Sequence, residues 1–100
     1  MQTDLITDES EIRRAAHSLK AMAHPLRLKI LCTLSKGRIN VQDLVEQVGT
    51  TQSNVSQHLA ILRDKGILSC HRDANKVYYF VEDDRMLQLV RMIKEVFCKH

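Results

Sequence analysis

The chain has 100 residues, 44% apolar and 27% charged, and its 15 Lys and Arg against 12 Asp and Glu give a net charge of +3. This composition predicts one domain over residues 1–100 with a small core, and the mild positive charge neither requires nor excludes a polyanionic partner. No apolar run approaches the ~20 residues of a membrane span, and the acidic start is unlike a signal peptide, so we expect a cytoplasmic protein without a membrane partner. The three cysteines are widely spaced, so we expect no disulfide scaffold.

Four amphipathic helices are predicted in the first two thirds of the chain. The first covers residues 8–22, and the second covers residues 25–36 with a proline in its first turn. Asn40 can cap a short third helix that Gly49 ends, and residues 50–66 hold the fourth. Two short helices joined by a turn that contains glycine describe a helix-turn-helix.

The fourth helix has two unlike faces. Val55, Leu59 and Leu62 recur at i, i+4 and i+7 and form an apolar stripe. The other face opens with amides and hydroxyls and carries no carboxylate before Asp64. Amides present the paired donor and acceptor that base edges require, and phosphate would repel a carboxylate, so this face suits base readout in DNA. The alternative interpretation is a face that is merely solvated. The predicted DNA-binding residues of this segment are Thr51, Gln52, Ser53, Asn54, Ser56, Gln57 and His58.

A β-hairpin is predicted after the fourth helix. Residues 67–72 and 76–81 are rich in Ile, Val, Tyr and Phe, and residues 73–75 separate them with turn-forming side chains. A hairpin that follows a helix-turn-helix is called a wing. Its polar residues either bind DNA phosphates or are ordinary solvated turn residues. The candidate DNA contacts of the wing are His71, Arg72, Asn75 and Lys76.

The last predicted helix covers residues 84–99. It begins after acidic residues and ends among basic ones, as the helix dipole favours. Its apolar residues cover more than one stripe, which a terminal helix of so small a domain cannot bury against its own chain. We therefore expect a homodimer, with a fold that is mainly α with a small β-hairpin in the order α-α-α-α-β-β-α.

This order of elements, with the stretches HPLRLKIL, QSNVSQHLAILRDKGIL and VYYF, resembles the ArsR/SmtB family of winged-helix bacterial repressors from about residue 15 to residue 98. The resemblance implies a winged helix-turn-helix that binds double-stranded operator DNA. It also implies a homodimer formed through the first and last helices, residues 8–22 and 84–99. A two-fold dimer would read two half-sites ~34 Å apart in a near-palindromic operator.

Members of this family release DNA when an inducer binds, and the inducer is often a metal. The segment NVQDLVEQ lacks the cysteines of the commonest metal motif, and the last helix carries Gln88, Arg91 and Lys94 where ligands would be needed. We therefore expect no metal site and no cofactor. A residual zinc site would require the ligands Cys98, His100, Cys32 and His17.

The cysteines of ILCTL and VFCKH resemble the pair found in the dithiol branch of the family, in which persulfides, polysulfides or oxidants link two thiols and weaken operator binding. The resemblance implies a thiol switch between Cys32 and Cys98. Lys29 and Lys36 lie one helical turn from Cys32, so we hypothesise that Cys32 is the better nucleophile and Cys98 the resolving partner. Both thiols could equally be small core side chains, and we expect Cys70 to be one.

Two other functions stay open at this point. A metal- or metalloid-responsive repressor of the same fold would release DNA on binding the metal, whereas an anti-silencing activator would bind DNA equally in all thiol states. An enzyme is disfavoured, because the five histidines are scattered and the sequence has no legible catalytic triad, carboxylate pair or glycine-rich phosphate loop.

Overall fold

The computed structural model describes residues 8–98, which form five α-helices and a small antiparallel sheet. The elements in chain order are α1 (Glu9–Met22), α2 (Pro25–Leu34), β1 (Ile39–Asn40), α3 (Val41–Val48), α4 (Gln52–Asp64), β2 (Ser69–Asp73), β3 (Lys76–Phe80) and α5 (Asp84–Phe97). The predicted helices and hairpin are confirmed, with corrected boundaries: the fourth helix is Gln52–Asp64 rather than 50–66, and the strands are Ser69–Asp73 and Lys76–Phe80 rather than 67–72 and 76–81. The second helix ends at Leu34 and the last at Phe97, and residues 99 and 100 lie outside the described part of the chain.

Every helix begins at a side chain that accepts a hydrogen bond from one of the free backbone N–H groups of the first turn. These local bonds explain why the helix starts follow so closely from the sequence. The accepting residues and their distances to the donor nitrogen are Asp8 (2.9 Å), His24 (3.2 Å), Asn40 (3.0 Å), Thr51 (3.1 Å) and Asp83 (2.8 Å).

The sheet contains a third strand that the sequence did not predict. β3 pairs with β2 as the expected hairpin, and its other edge pairs with β1, where Ile39 faces Tyr79 and Asn40 faces Tyr78. Two residues are too short to show a strand period of their own, so β1 is defined by its partner. Because Asn40 also caps α3, this pairing ties the wing to the helix-turn-helix.

The core lies between α2, α3 and α4, and α5 covers it through Val90. In α2, Ile30 and Leu34 are fully buried, and Leu26 is partly buried against the core. The buried apolar residues are Ala21, Met22, Ile30, Leu31, Leu34, Leu44, Val48, Val55, Leu59, Leu62, Ile67, Leu68 and Val90.

Both terminal helices keep large apolar side chains on the surface. On α1, Met22 is buried, but Ile12 is 46% and Leu19 54% exposed, so the chain covers the predicted apolar face of α1 only at its C-terminal end. On α5, one face packs on the core and a second remains open to solvent. The exposed apolar residues of α5 are Leu89, Met92, Val96 and Phe97.

Candidate nucleic-acid interface and thiol pair

The turn between α3 and α4 is fixed at both ends. Gly49 ends α3 in the left-handed region at φ 87°, a conformation that glycine adopts without a steric penalty. Lys29 of α2 reaches this turn and donates from Nζ to the Val48 carbonyl oxygen at 2.8 Å. Thr51 caps α4 across the turn, and Asn54 donates from its side-chain amide to Thr50 at 3.3 Å. The start of α4 is therefore held in a defined orientation.

The two faces of α4 are as the sequence predicted. Val55, Leu59 and Leu62 are buried, whereas the polar residues of the first two turns other than His58 are exposed to solvent. Solvent-facing amides and hydroxyls at the start of the second helix are what base readout in the major groove requires. The exposed members of the predicted set are Thr51, Gln52, Ser53, Asn54, Ser56 and Gln57.

His58 differs from the rest of the predicted set. Its side chain is partly buried against the start of α2, where its Nδ1 lies 3.1 Å from Nη1 of Arg27. The His24 ring packs beside it, with ring centroids 4.6 Å apart. Burial, His24 and Arg27 all lower the pKa of His58. One ring nitrogen of His58 is thus engaged within the protein rather than free for a base.

The wing approaches α4 at its tip. A groove is lined from α4 by Gln52 and Ser56 and from the wing by Asn75 and Lys76, so residues predicted from separate elements share one concave surface. Ala74, at the turn itself, has a positive φ of 57°. This groove is the candidate interface for double-stranded DNA.

The other two wing candidates lie away from this groove. His71 lines a separate shallow depression with Arg38 and Glu82, and Arg72 is exposed on β2 opposite Val77. Arg38, just before β1, stacks over the Tyr78 ring of β3 at 4.3 Å, so it adds a cation beside the wing that the sequence analysis missed.

The two predicted switch cysteines lie on neighbouring helices. Cys32 is partly buried in α2, which packs against α5, and Cys98 is exposed at the C-cap of α5. Burial raises the pKa of the Cys32 thiol, Lys94 opposes this rise, and the nearby charge of Cys98 adds to it. The charge of Cys98 therefore influences the pKa of Cys32 within one chain.

The hypothesis that local lysines activate Cys32 is wrong. Lys29 extends to the Val48 carbonyl instead, and the cation that favours the Cys32 thiolate is Lys94 from α5. Because burial outweighs Lys94, the pKa of the Cys32 thiol is raised, which leaves less of it as the reactive thiolate at neutral pH.

Cys70 is exposed rather than packed in the core, so that expectation is also wrong. In β2 it lies opposite Tyr79 of β3, and Nη1 of Arg63 contacts its sulfur at 3.9 Å. Alternation along a strand gives a side chain's face but not whether the surrounding chain covers that face, which explains the error.

The residues considered for zinc do not converge. Within residues 8–98, no three His, Cys, Asp or Glu side chains group as a metal site would require. His17 lines a depression with Asp64 and Lys65 at the end of α4, whereas Cys32 and Cys98 lie where α2 meets α5. His100 lies outside the described residues.

A helix-turn-helix, a basic wing and a polar groove between them define a winged-helix DNA-binding protein. Residues 24–69 match the family model for bacterial regulatory proteins of the arsR family. The chain belongs to the ArsR family, and it is a DNA-binding transcriptional regulator rather than an enzyme.

Three relatives span nearly the whole chain. The HTH-type transcriptional regulator YgaV of Escherichia coli is 36% identical over 96% of this chain and 98% of its own. The structure of HlyU from Vibrio cholerae, a protein named as a transcriptional activator, superposes with a TM-score of 0.86 at 32% identity over 92% of this chain and 100% of that one. The structure of the transcriptional repressor BigR from Xylella fastidiosa gives 0.79 at 35% identity over 95% and 100%. Among the described residues, each helix is too short or too polar to cross a bilayer.

Proposed function

We propose that this protein is a dimeric, cytoplasmic repressor that reads operator DNA with α4 and the wing and releases it when Cys32 and Cys98 become linked. The observation that carries the proposal is the carboxylate-free polar start of α4, which shares a groove with Asn75 and Lys76. Residues 1–100 would act as one DNA-binding domain. The contact residues are Thr51, Gln52, Ser53, Asn54, Ser56, Gln57, His58, His71, Arg72, Asn75 and Lys76.

These contacts divide into base readers and phosphate anchors. Gln52 and Gln57 are exposed amides that can pair in two directions with adenine, and Ser56 adds a short adaptable hydroxyl. Lys76 at the wing tip offers a point charge for phosphate, which supplies affinity without sequence information. His58 contributes through its remaining ring nitrogen, because Arg27 engages the other.

The dimer would form through α1 and α5. Their exposed apolar residues, among them Leu19 and Met92, are the kind of surface that a soluble chain buries against a second copy. A two-fold arrangement would present both α4 helices to successive half-sites ~34 Å apart.

The thiol pair would respond to low-molecular-weight persulfides, polysulfides or oxidants. The exposed Cys98 attacks first, since Cys32 is partly buried and its pKa is raised by that burial. With a persulfide of glutathione, the Cys98 thiolate attacks the outer sulfur, the S–S bond breaks, and glutathione leaves as its thiolate. Cys32 then attacks the Cβ-bonded sulfur of the Cys98 persulfide, forming the disulfide and releasing hydrogen sulfide. Two thiols and one persulfide are converted into one disulfide, glutathione and hydrogen sulfide.

The test follows binding to a duplex that the protein selects from a random-sequence pool, by fluorescence anisotropy before and after glutathione persulfide, with intact mass on the same samples. We expect loss of binding together with a disulfide or a sulfur-bridged Cys32–Cys98 link. Cys98→Ser and Cys32→Ser should each abolish the response, whereas the matched control Cys70→Ser should retain it. Unchanged binding of a linked protein would refute the switch.

The docking of α4 is tested separately on the same duplex. Gln57→Ala and Asn54→Ala should relax sequence preference, by about 1–3 kcal/mol of discrimination for each lost bidentate contact. Gln47→Ala, an exposed amide on α3, is the matched control. Unaltered affinity and preference in both α4 variants would show that another surface reads the bases.

A second candidate is an anti-silencing activator that senses nothing. It is favoured by one observation, the likeness to a V. cholerae protein named as a transcriptional activator. Such a protein would bind the selected duplex equally in its reduced and linked states, so the same anisotropy series distinguishes the two functions.

A further inference from the structure

A polar cluster joins three helices at the start of α2, beside the DNA-reading segment. Nε of Arg27 donates to the Ala21 carbonyl oxygen in the last turn of α1, and Nη1 of the same guanidinium lies 3.1 Å from Nδ1 of His58 on α4. His24, the N-cap of α2, packs its ring against the His58 ring. A single side chain of α2 thus contacts both α1 and α4.

The contact fixes the protonation of His58. A guanidinium carries donors and no acceptor, so Nδ1 of His58 must be the acceptor and the neutral ring carries its proton on Nε2. Arg27 and His24, both from α2, are the charged and titratable groups that face this ring. Together with burial they lower the pKa of His58, in agreement with a neutral ring at this position.

Arg27 also stands where a cation is unfavourable for its own helix. It lies in the first turn of α2, near the positive end of the helix dipole, in an otherwise apolar stretch. The bonds to Ala21 and His58 offset that cost. Apolar contacts of Val55 and Leu59 bury α4 without strong directional preference, whereas a hydrogen bond to a planar guanidinium constrains both rotation and position.

We propose that Arg27 is a positioning residue for DNA recognition, which holds the reading face of α4 in register by binding His58 while it is anchored on the end of α1. This inference rests on the proposed use of α4 for base readout. His58 follows Gln57 directly, so a rotation of its ring and backbone would displace an amide predicted to contact bases.

The first measurement uses the unaltered protein. Nitrogen-15 NMR of the histidines reports the tautomer and titration of His58, and we expect the Nε2-protonated neutral form. In Arg27→Gln the pKa of His58 should rise, because a cation that faces the ring is removed. A Nδ1-protonated ring in the wild type, or an unmoved His58 titration in Arg27→Gln, would overturn the proposal.

The second measurement is a double-mutant cycle on the selected duplex and on an unrelated duplex. Arg27→Gln should weaken binding to the selected duplex by about tenfold, and Arg27→Gln in a His58→Ala background should add little. Arg27→Lys keeps the charge but loses the planar guanidinium that bonds to Ala21 and His58 at once. Its affinity for the selected duplex should therefore resemble that of Arg27→Gln. Affinity for the unrelated duplex should change far less than affinity for the selected one.

Several outcomes would contradict Arg27 acting through His58. These are wild-type affinity in Arg27→Lys, additive losses in the double variant, or equal losses on both duplexes. Should Arg27→Gln fail to fold, wild-type affinity of His58→Ala would overturn the proposal equally. Failure of this proposal can be distinguished from failure of the proposed function. Gln57→Ala tests whether α4 reads bases, whereas the His58 titration in Arg27→Gln tests only the contact between Arg27 and His58.

Discussion

Truncating Met92 should weaken the proposed dimer by about thirtyfold. Met92 lies on the open face of α5 and is 55% exposed in the single chain. Full burial of a methionine side chain stabilises by about 1.5–3 kcal/mol, so burying the exposed half contributes about 1 kcal/mol per protomer. A two-fold interface contains the residue twice, and the resulting loss of about 2 kcal/mol in Met92→Ala corresponds to that factor in the dissociation constant.

Sedimentation velocity over a dilution series measures this dissociation constant directly. Ile61→Ala is the matched control, because Ile61 is a partly exposed apolar residue of α4 and not of the terminal helices. Its dimer should dissociate as the wild type does. Equal dissociation constants for Met92→Ala and the wild type would refute the assignment of α5 to the interface. A loss of dimer affinity in Ile61→Ala as large as that in Met92→Ala would show that the effect is not specific to the terminal helices.

Three further predictions concern the wing and the histidine cluster. Lys76→Ala should weaken binding to all duplexes alike and reduce the slope of log affinity against log salt by about 1, as measured by anisotropy at several salt concentrations. Since the pKa of His58 is lowered in the folded protein, the unfolded chain binds that proton more readily, so the free energy of unfolding should decline as pH falls below about 6.5. Urea titrations above and below that pH should show a smaller decline in His58→Gln. Ala74→Gly should raise the free energy of unfolding by about 0.5–1 kcal/mol in urea, because relief of ~1–2 kcal/mol at its positive φ exceeds the ~0.5–1 kcal/mol entropic cost of glycine. A lower free energy of unfolding in Ala74→Gly, or a salt slope unaltered by Lys76→Ala, would contradict the respective assignment.

Features determined by neighbouring residues were predictable from the sequence. Asn40 accepts from the Asp43 backbone amide, and Thr51 accepts from that of Asn54, so these two helix starts depend on a side chain only three residues away. The stripe of Val55 and Leu59 likewise follows from the helical period alone. The candidate DNA-reading face could be assembled from the sequence because it needs only this period and the identity of the exposed residues.

Features determined by distant residues were not predictable. β1 exists because Ile39 meets Tyr79, forty residues further along the chain. The sequence neighbours of Cys32 suggested an activated thiol, yet the charge that acts on it comes from Lys94 on another helix, and burial dominates. Local spacing cannot report burial or the approach of a separate helix, and both control the pKa of a thiol.

The arrangement of α2 explains how a thiol link could reach the DNA-reading helix. Its C-terminal half carries Cys32 beside α5, and its N-terminal half carries Arg27 and Lys29, which bond to α4 and to the end of α3. Cys32 and Arg27 are five residues apart, about 7.5 Å along one continuous helix. Arg91 of α5 also donates to the Ser35 carbonyl just beyond α2, so a displacement of α5 relative to α2 alters contacts at that end too. In the proposed switch, a shift of α2 at Cys32 is therefore transmitted to Arg27 and Lys29, the two side chains that hold the helix-turn-helix.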